Sequence, residues 1–450
     1  MRPFNPPRTV ANSVGLNGAG ERYNFILIGG RSVGATSNGN GAASAAPRGE
    51  YNGSGNNGAQ TNGFLANGAH STNGLHAKGI HKNGLSAAPK DRVTDVAVVG
   101  YGNWGSKHVR VFSSMPDVKV TVVDSDPLRL ASAKSAFPMV ELDECLDRAL
   151  ETADVVVVAT PPGSHAPIAH AAIRAGCHVL VEKPLATSVI ECEDLIDAAR
   201  LNGVHLMVGH TFEHDATIWK LREIVQSGIL GDVRYIDCAR LNLGLYQEDV
   251  NVVWDLAPHD VSIVNFILGE PPTGVSAWGH SHANRKFEDV AHLKLRYADS
   301  DIYAYIHVSW LDPCKVRRIT IVGSEKMAVY NDMATEGKIR IYDVGLEEES
   351  IYPEPVKYRR GDIVAPAINW HEPLSEQAKQ VLHSARTGAA PRTDGQSGLA
   401  VARVLEAADR AMNTGTEVLL QPEPEIDITI ESIPSRTEVP APVVLDQASA

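Results

Sequence analysis

Between residues 93 and 213 the chain alternates short, unbroken apolar runs with longer amphipathic stretches. The runs lie at 96–99, 118–123, 155–159, 179–181 and 206–208; apolar residues recur at helical spacing near 104–115, 164–175 and 188–201. Continuous valine-rich runs are strands buried on both faces, and helices in the gaps are the crossovers that a parallel sheet needs. The pattern predicts a doubly wound α/β domain over 91–213. Beyond about residue 230 strands follow one another at 233–243, 275–282, 290–297, 302–310, 316–322 and 338–344, many with period-two alternation. One helix interrupts them near 258–268, and two amphipathic helices follow at 373–387 and 396–413. Grouped strands with hairpin-length gaps predict an α+β domain, 214–420, built on a large open mixed or antiparallel sheet.

The two ends are different. Residues 1–90 are dominated by Gly, Asn, Ser and Ala with recurring Asn-Gly pairs, and carry too few large apolar side chains to offset chain entropy, so this extension is expected to be disordered. Residues 421–450 are rich in Pro and Glu and are expected to form a flexible tail. At 450 residues, two folded units and a cleft between them are the natural expectation. The first ninety residues hold 8 basic and 2 acidic side chains, whereas the remainder carries a net charge of −19. An acidic body is a poor match for nucleic acid. No apolar run is long enough to cross a bilayer, and no h-region of a signal peptide is visible, which argues against a membrane partner. The five scattered cysteines form no C-x-x-C pair, so a reducing, cytoplasmic setting is expected and no metal site is assigned.

The first motif with chemistry follows the first strand. Gly100, Gly102 and Gly105 form G-x-G-x-x-G between an apolar run and a helix. The first glycine allows the turn, the second lets backbone N–H groups approach a pyrophosphate, and the third lets helix and strand pack closely. Asp124, nineteen residues after Gly105 at the end of the next strand, is placed to accept hydrogen bonds from ribose hydroxyls. A carboxylate there repels a 2′-phosphate, so NAD is expected and NADP is less favoured, with Arg129 leaving some tolerance. The domain is thereby read as a Rossmann dinucleotide-binding fold.

Two clusters sit downstream. Glu182-Lys183-Pro184 follows a Rossmann strand at its carboxyl end, where ligands bind in open α/β sheets. Pro184 holds Lys183 on extended backbone, from which an ammonium can stabilise alkoxide character at a substrate hydroxyl. The second cluster runs from Trp254 to Asp260 through Asp255, Pro258 and His259. If Pro258 marks a first helical turn, Asp255 and His259 face one way, and an imidazole beside a carboxylate is a general base. In isolation each cluster also reads as ordinary structure: a strand-end ion pair, and an aspartate cap with a first-turn histidine.

Together these segments resemble the glucose-fructose oxidoreductase, inositol dehydrogenase and rhizopine-catabolism family of two-domain dehydrogenases, across about 93–418. The similarity also takes in Ala159-Thr160-Pro161-Pro162-Gly163-Ser164-His165, Arg386-Thr387-Gly388 and Thr393-Asp394-Gly395. It implies that Lys183, Asp255 and His259 surround the reacting hydroxyl, with His259 as base. It implies nicotinamide contacts from Thr160, Pro161, His165, Glu182 and Lys183, pyrophosphate contacts from Asn103 and Trp104, and a sheet that forms homodimer or homotetramer contacts. The expected substrate is a small sugar-like molecule, a sugar, polyol or nucleotide sugar. The segment from Arg240 to Gly244, with 249–254, looks similar to members that oxidise nucleotide-linked sugars, where Arg240 would grip a phosphate or carboxylate by a bidentate fork. Two other readings stay open: an NAD-dependent glycoside hydrolase working by transient oxidation, and a non-catalytic nicotinamide-sensing module.

Overall fold

The computed structural model describes the backbone of residues 12–16 and 22–26 and, from 93 to 420, all but 245, 248–249, 284–285, 299–300 and 347–356. In the first unit, β1 (Asn12–Leu16) and β2 (Arg22–Ile26) pair antiparallel, with Leu16 opposite Arg22. This hairpin lies inside the extension expected to be without regular structure. Two short period-two runs, Val14/Leu16 and Tyr23/Phe25, flank an Asn17-Gly18 turn signal that the surrounding Asn-Gly richness obscured. The rest of 1–90 and the tail 421–450 lie outside the described residues.

The second unit begins with the predicted doubly wound sheet. Its elements are β3 (Thr94–Val99), α1 (Asn103–Ser113), β4 (Val118–Val123), α2 (Pro127–Ala136), β5 (Glu141–Asp143), α3 (Leu146–Thr152), β6 (Val155–Val158), α4 (His165–Arg174), β7 (His178–Val181), α5 (Val189–Asn202) and β8 (Leu206–Val208). All six strands are parallel in the order β5-β4-β3-β6-β7-β8. Every residue of β6 is fully buried, as a strand covered on both faces requires. Strand order reverses between β3 and β6, so the crevice beyond their carboxyl ends is the ligand position of such sheets. The helix α2 escaped the periodicity reading because it buries only Leu130 and Ala133; its start is set instead by Asp126 as N-cap and Pro127 at the first helical position.

The remaining elements are α6 (Ala216–Gln226), β9 (Val233–Leu243), α7 (Val252–Leu268), β10 (Gly274–His280), β11 (Val290–Tyr297), β12 (Ile302–Ser309), β13 (Leu311–Gly323), β14 (Met327–Asn331), β15 (Ile339–Leu346), β16 (Tyr358–Val364), α8 (Pro373–Thr387), α9 (Gly395–Thr414) and β17 (Val418–Leu419). Nine strands form one sheet, β16-β15-β14-β13-β9-β12-β11-β10-β17, antiparallel except for the β9–β12 pair. One face packs Ile236, Cys238, Ile319 and Ile321 against Val261 and Val264 of α7 and Val404 and Leu405 of α9. The opposite face exposes Trp278, Tyr235 and Tyr305.

Two boundaries differ from the sequence reading. Helix α7 starts at Val252, six residues before the expected 258, because Asn251 caps it by accepting from the N–H groups of Val253 and Trp254, both at 3.1 Å. Pro258 therefore lies inside the helix, where it removes one N–H from the ladder. Helix α8, placed by sequence in the second domain, contributes Leu374, Ala378, Val381 and Leu382 to the core cluster of Val96, Val98 and Phe112 in the nucleotide domain. Arg386 of α8 donates to Thr94 Oγ1 at 3.0 Å. Helix α9 joins both cores, and Val208 N–H donates to Thr393 O at 2.7 Å. The crevice thus has walls tied together by returning chain.

Candidate active site

The glycine loop has the geometry its spacing requires. Gly100 takes φ +91°, in the left-handed region, and a Cβ on Gly105 would stand 1.7 Å from Gly100 O. A Cβ on Gly102 would meet nothing within 4 Å, so there is open space above the loop. Gly102 caps α1 without a side-chain bond and the first turn carries no acid, which leaves its N–H groups and dipole for an anion. Asn103 and Trp104 form that first turn, and Lys107 Nζ lies 4.1 Å over the Trp104 ring, adding positive charge near the mouth.

Asp124 stands at the end of β4, largely buried. Its Oδ2 accepts from Tyr101 N–H in the glycine loop at 2.7 Å, and its Oδ1 from Asp126 N–H at 2.9 Å. The carboxylate that ribose hydroxyls would use thus also fixes the loop. Arg129 Nη1 lies 3.7 Å away. Just past the end of β6, Thr160 Oγ1 accepts from Ser164 Oγ at 2.8 Å, and the Ser164 hydroxyl also lies 2.8 Å from Pro161 O. These residues fit a bound dinucleotide: open cradle, unclaimed helix N-terminus and ribose-facing carboxylate.

His165 is placed differently from the nicotinamide contact expected. It is buried, with Nδ1 2.8 Å from Pro184 O and Nε2 2.9 Å from Thr160 O. Burial holds its imidazole below the usual range against the pull of these two carbonyls and Glu182. A neutral ring donates to one carbonyl at a time. His165 therefore braces the Glu182-Lys183-Pro184 turn against the β6 loop, and its own nitrogens are taken.

Lys183 reaches across to α7. Its Nζ donates to Asp255 O at 2.7 Å and lies 3.4 Å from Asp255 Oδ1, both groups partly buried. Two of three ammonium hydrogens are engaged by these contacts, leaving one for a ligand. The second oxygen of Asp255 accepts from Trp310 Nε1 at 3.0 Å. Asp255 is thereby committed to Lys183 and Trp310, not to His259 as the spacing suggested: four residues apart set the same helix face, but stronger partners take the carboxylate.

His259 nonetheless lies in the same crevice. Its ring stands edge-on to Phe212 with centroids 5.2 Å apart, and its buried Nδ1 has no hydrogen-bond partner among the described residues. Burial first, then the charges of Lys183, Arg240, Arg317 and His210, hold the imidazole well below its ordinary range. It is neutral at neutral pH.

Arg240 also departs from expectation. Its Nε and Nη2 donate to Asp260 at 2.7 and 2.9 Å in a buried pair, and its guanidinium lies 5.0 Å over Phe212. The bidentate fork that would have gripped a substrate anion is occupied. Only Nη1, buried and without a partner among the described residues, is left. Sequence reasoning missed Trp310 and Phe212. Trp310 continues the inward parity of Ala304, Ile306 and Val308 on β12, which is the signal that would have found it.

The Rossmann half, residues 94–210, matches the model of the NAD-binding oxidoreductase family, and residues 218–329 match the GFO/IDH/MocA C-terminal domain. The chain belongs to the GFO/IDH/MocA oxidoreductase family. It is similar to UDP-N-acetylglucosamine 3-dehydrogenase of Acidithiobacillus ferrooxidans, 30% identical over 40% of this chain and 56% of the relative. It is also similar to the NADP(+)-dependent scyllo-inositol 2-dehydrogenase IolW of Bacillus subtilis, 24% identical over 72% of this chain and 96% of the relative. Among solved structures, GenD2 from gentamicin A biosynthesis in complex with NAD superposes with TM-score 0.63 and 26% identity, over 76% of this chain and 100% of that one. Matches to several curated relatives span under three fifths of those proteins' lengths. Among the described residues no helix is long and apolar enough to cross a membrane.

Proposed function

We propose that this protein is an NAD-dependent oxidoreductase acting on a CH–OH group of a sugar, polyol or nucleotide sugar, with Lys183, Asp255 and His259 as its catalytic set. What supports the reading is the contact of the Lys183 ammonium with Asp255, together with a His259 near enough that the Lys183 charge helps hold its imidazole below the ordinary range. NAD supplies the hydride acceptor when bound, held by Gly100, Gly102, Asn103, Trp104, Gly105 and Asp124, with Thr160, Pro161 and Glu182 at the nicotinamide end. Lys183 donates its remaining N–H to the substrate oxygen and stabilises the negative charge that develops there. His259 takes the hydroxyl proton, since a neutral imidazole has an open lone pair. Asp255, fixed by Trp310, orients Lys183.

Asp124 favours NAD over NADP by charge repulsion, while Arg129 within 3.7 Å tempers the preference. The relative that acts on UDP-N-acetylglucosamine supports nucleotide sugars among the substrates. Arg240, buried and paired with Asp260, is not part of the proposed substrate contacts. The exposed aromatic face of the nine-stranded sheet, with Trp278, Tyr235 and Tyr305, is where self-association into dimers or tetramers would bury surface; light scattering of purified protein checks it. A panel of sugars, polyols and sugar nucleotides, followed by NADH absorbance, tests the activity. At least one compound reduces NAD with wild-type protein and none does with Lys183→Met; a panel without turnover contradicts the proposal.

A further inference from the structure

A buried acid–imidazole pair stands behind the lysine. His108 lies on α1, three residues after Gly105 and on the face that packs against the sheet. It has no solvent exposure, and its Nε2 lies 2.7 Å from Glu182 Oε1 at the end of β7. The other Glu182 oxygen accepts the backbone N–H of Lys183 at 3.3 Å. Gly209 closes the remaining side: a Cβ there would stand 3.0 Å from Glu182 Oε2 and 3.1 Å from its Cα. His108 Nδ1 is buried without a partner among the described residues, which suits the tautomer with its hydrogen on Nε2, donating to the carboxylate. Burial pushes the Glu182 carboxyl up; the hydrogen bond from His108, then the charge of Lys183, outweigh that and hold it below the ordinary carboxylate range.

We propose that His108 is a positioning residue: by holding the buried Glu182 carboxylate in place it sets the Glu182–Lys183 peptide, and so aims the Lys183 ammonium across the crevice at Asp255 and the substrate hydroxyl. The inference rests on the proposed role of Lys183. Its physical basis is that a buried carboxylate stripped of its donor takes up a proton or turns toward another partner, and either change releases the Lys183 N–H. His108 also ties α1, whose first turn faces the dinucleotide, to the lysine, a connection spanning 74 residues of sequence.

The test compares His108→Leu with His108→Gln, whose amide puts a donor near the former Nε2. His108→Asn, too short to reach Glu182, serves if the leucine variant fails to fold. Infrared difference spectra of the free protein report the carboxyl directly. The leucine variant gains a protonated-carboxyl band at neutral pH that Glu182→Gln removes in the double variant; the glutamine variant gains none. Turnover of the leucine variant falls about ten- to a hundredfold in kcat with a smaller change in KM, as for a catalytic group displaced by a fraction of an ångström to an ångström. It recovers as pH rises above neutral, when Glu182 ionises. The charged and titratable groups facing Glu182 are Lys183 beside it, His108 from α1, His165 from α4 and His210 beyond β8. Burial lowers the His165 imidazole and takes that of His210 down to about 4, so neither ring titrates in this window. An unchanged spectrum and unchanged kcat in the leucine variant, alongside an inactive Lys183→Met, overturn the positioning role alone. An active Lys183→Met overturns the role of Lys183 and with it the aim of the positioning, while the infrared band still decides whether His108 holds Glu182.

Discussion

Replacing Trp310 with Phe isolates one atom of the site. The indole is buried, and its Nε1 donates to Asp255 Oδ2 at 3.0 Å while the other oxygen faces Lys183 Nζ at 3.4 Å. Phenylalanine keeps most of the apolar volume and removes the donor. A hydrogen bond to a charged group contributes about 1.5–3 kcal/mol, and the abandoned oxygen is left in a partly buried position. In a domain of this size that corresponds to a Tm lower by roughly 3–12 °C, at about 2–4 °C per kcal/mol. The kinetic effect comes from Asp255 turning away from Lys183: the same energy range, lost wholly from the transition state, lowers kcat by about ten- to 150-fold. Thermal unfolding followed by circular dichroism gives the first number, and NADH production on the substrate from the panel gives the second. Because the effect is routed through the carboxylate, it should largely vanish in an Asp255→Ala background, which keeps no acceptor for the indole N–H. Full activity in Trp310→Phe, or an equal loss in both backgrounds, refutes the reasoning.

Three further outcomes follow from single contacts. Asp260→Ala leaves the Arg240 guanidinium buried without its partner and should cost about 3–5 kcal/mol in denaturant unfolding; a loss below about 1 kcal/mol would mean that the cation finds solvent. Asp124→Ser removes the charge facing a 2′-phosphate and should shift the ratio of NAD to NADP affinity toward NADP by about tenfold or more, about 1.4 kcal/mol, by titration of each cofactor. Glu213 is pushed up to about 8 by burial, reinforced by Asp394 and opposed by Arg392 and Arg222. Between its ordinary 4.5 and about 8 the unfolded chain releases a proton that the folded one keeps, so this group lowers stability as pH rises through that window. Glu213→Gln should therefore gain stability relative to wild type, by up to ~1.4 kcal/mol per pH unit, up to about pH 8 and remain level above it.

What was legible in the sequence was local. The glycine loop, Asp124 and the Glu182-Lys183-Pro184 turn are read from a strand, its following turn and a helix start, and each is found where that reasoning put it. The nine-stranded sheet was predicted in outline, but Met327–Asn331 and Tyr358–Val364 were not among the predicted strands. Longer-range partners were hidden. Nothing in a pattern of spacing ties Trp310 to Asp255 across 55 residues, or His108 to Glu182 across 74. Helix α8 shows the same limit: its apolar stripe predicts a buried face, not that the face covers the first domain. Pro258 misled because it marks a helix start only when nothing earlier caps the helix, and Asn251 does. Arg240 was readable on parity, since Ile236 and Cys238 fix the inward face of β9, and inward placement calls for the buried carboxylate that Asp260 supplies.

The most direct measurement follows a label. A panel of sugars and sugar nucleotides carrying deuterium on carbon is incubated with the protein and NAD, and the recovered dinucleotide is weighed by mass spectrometry. Deuterium on the reduced nicotinamide from at least one compound, lost in both Lys183→Met and His259→Ala, is the result predicted. Unlabelled dinucleotide across the panel, or equal label transfer without Lys183, would contradict it.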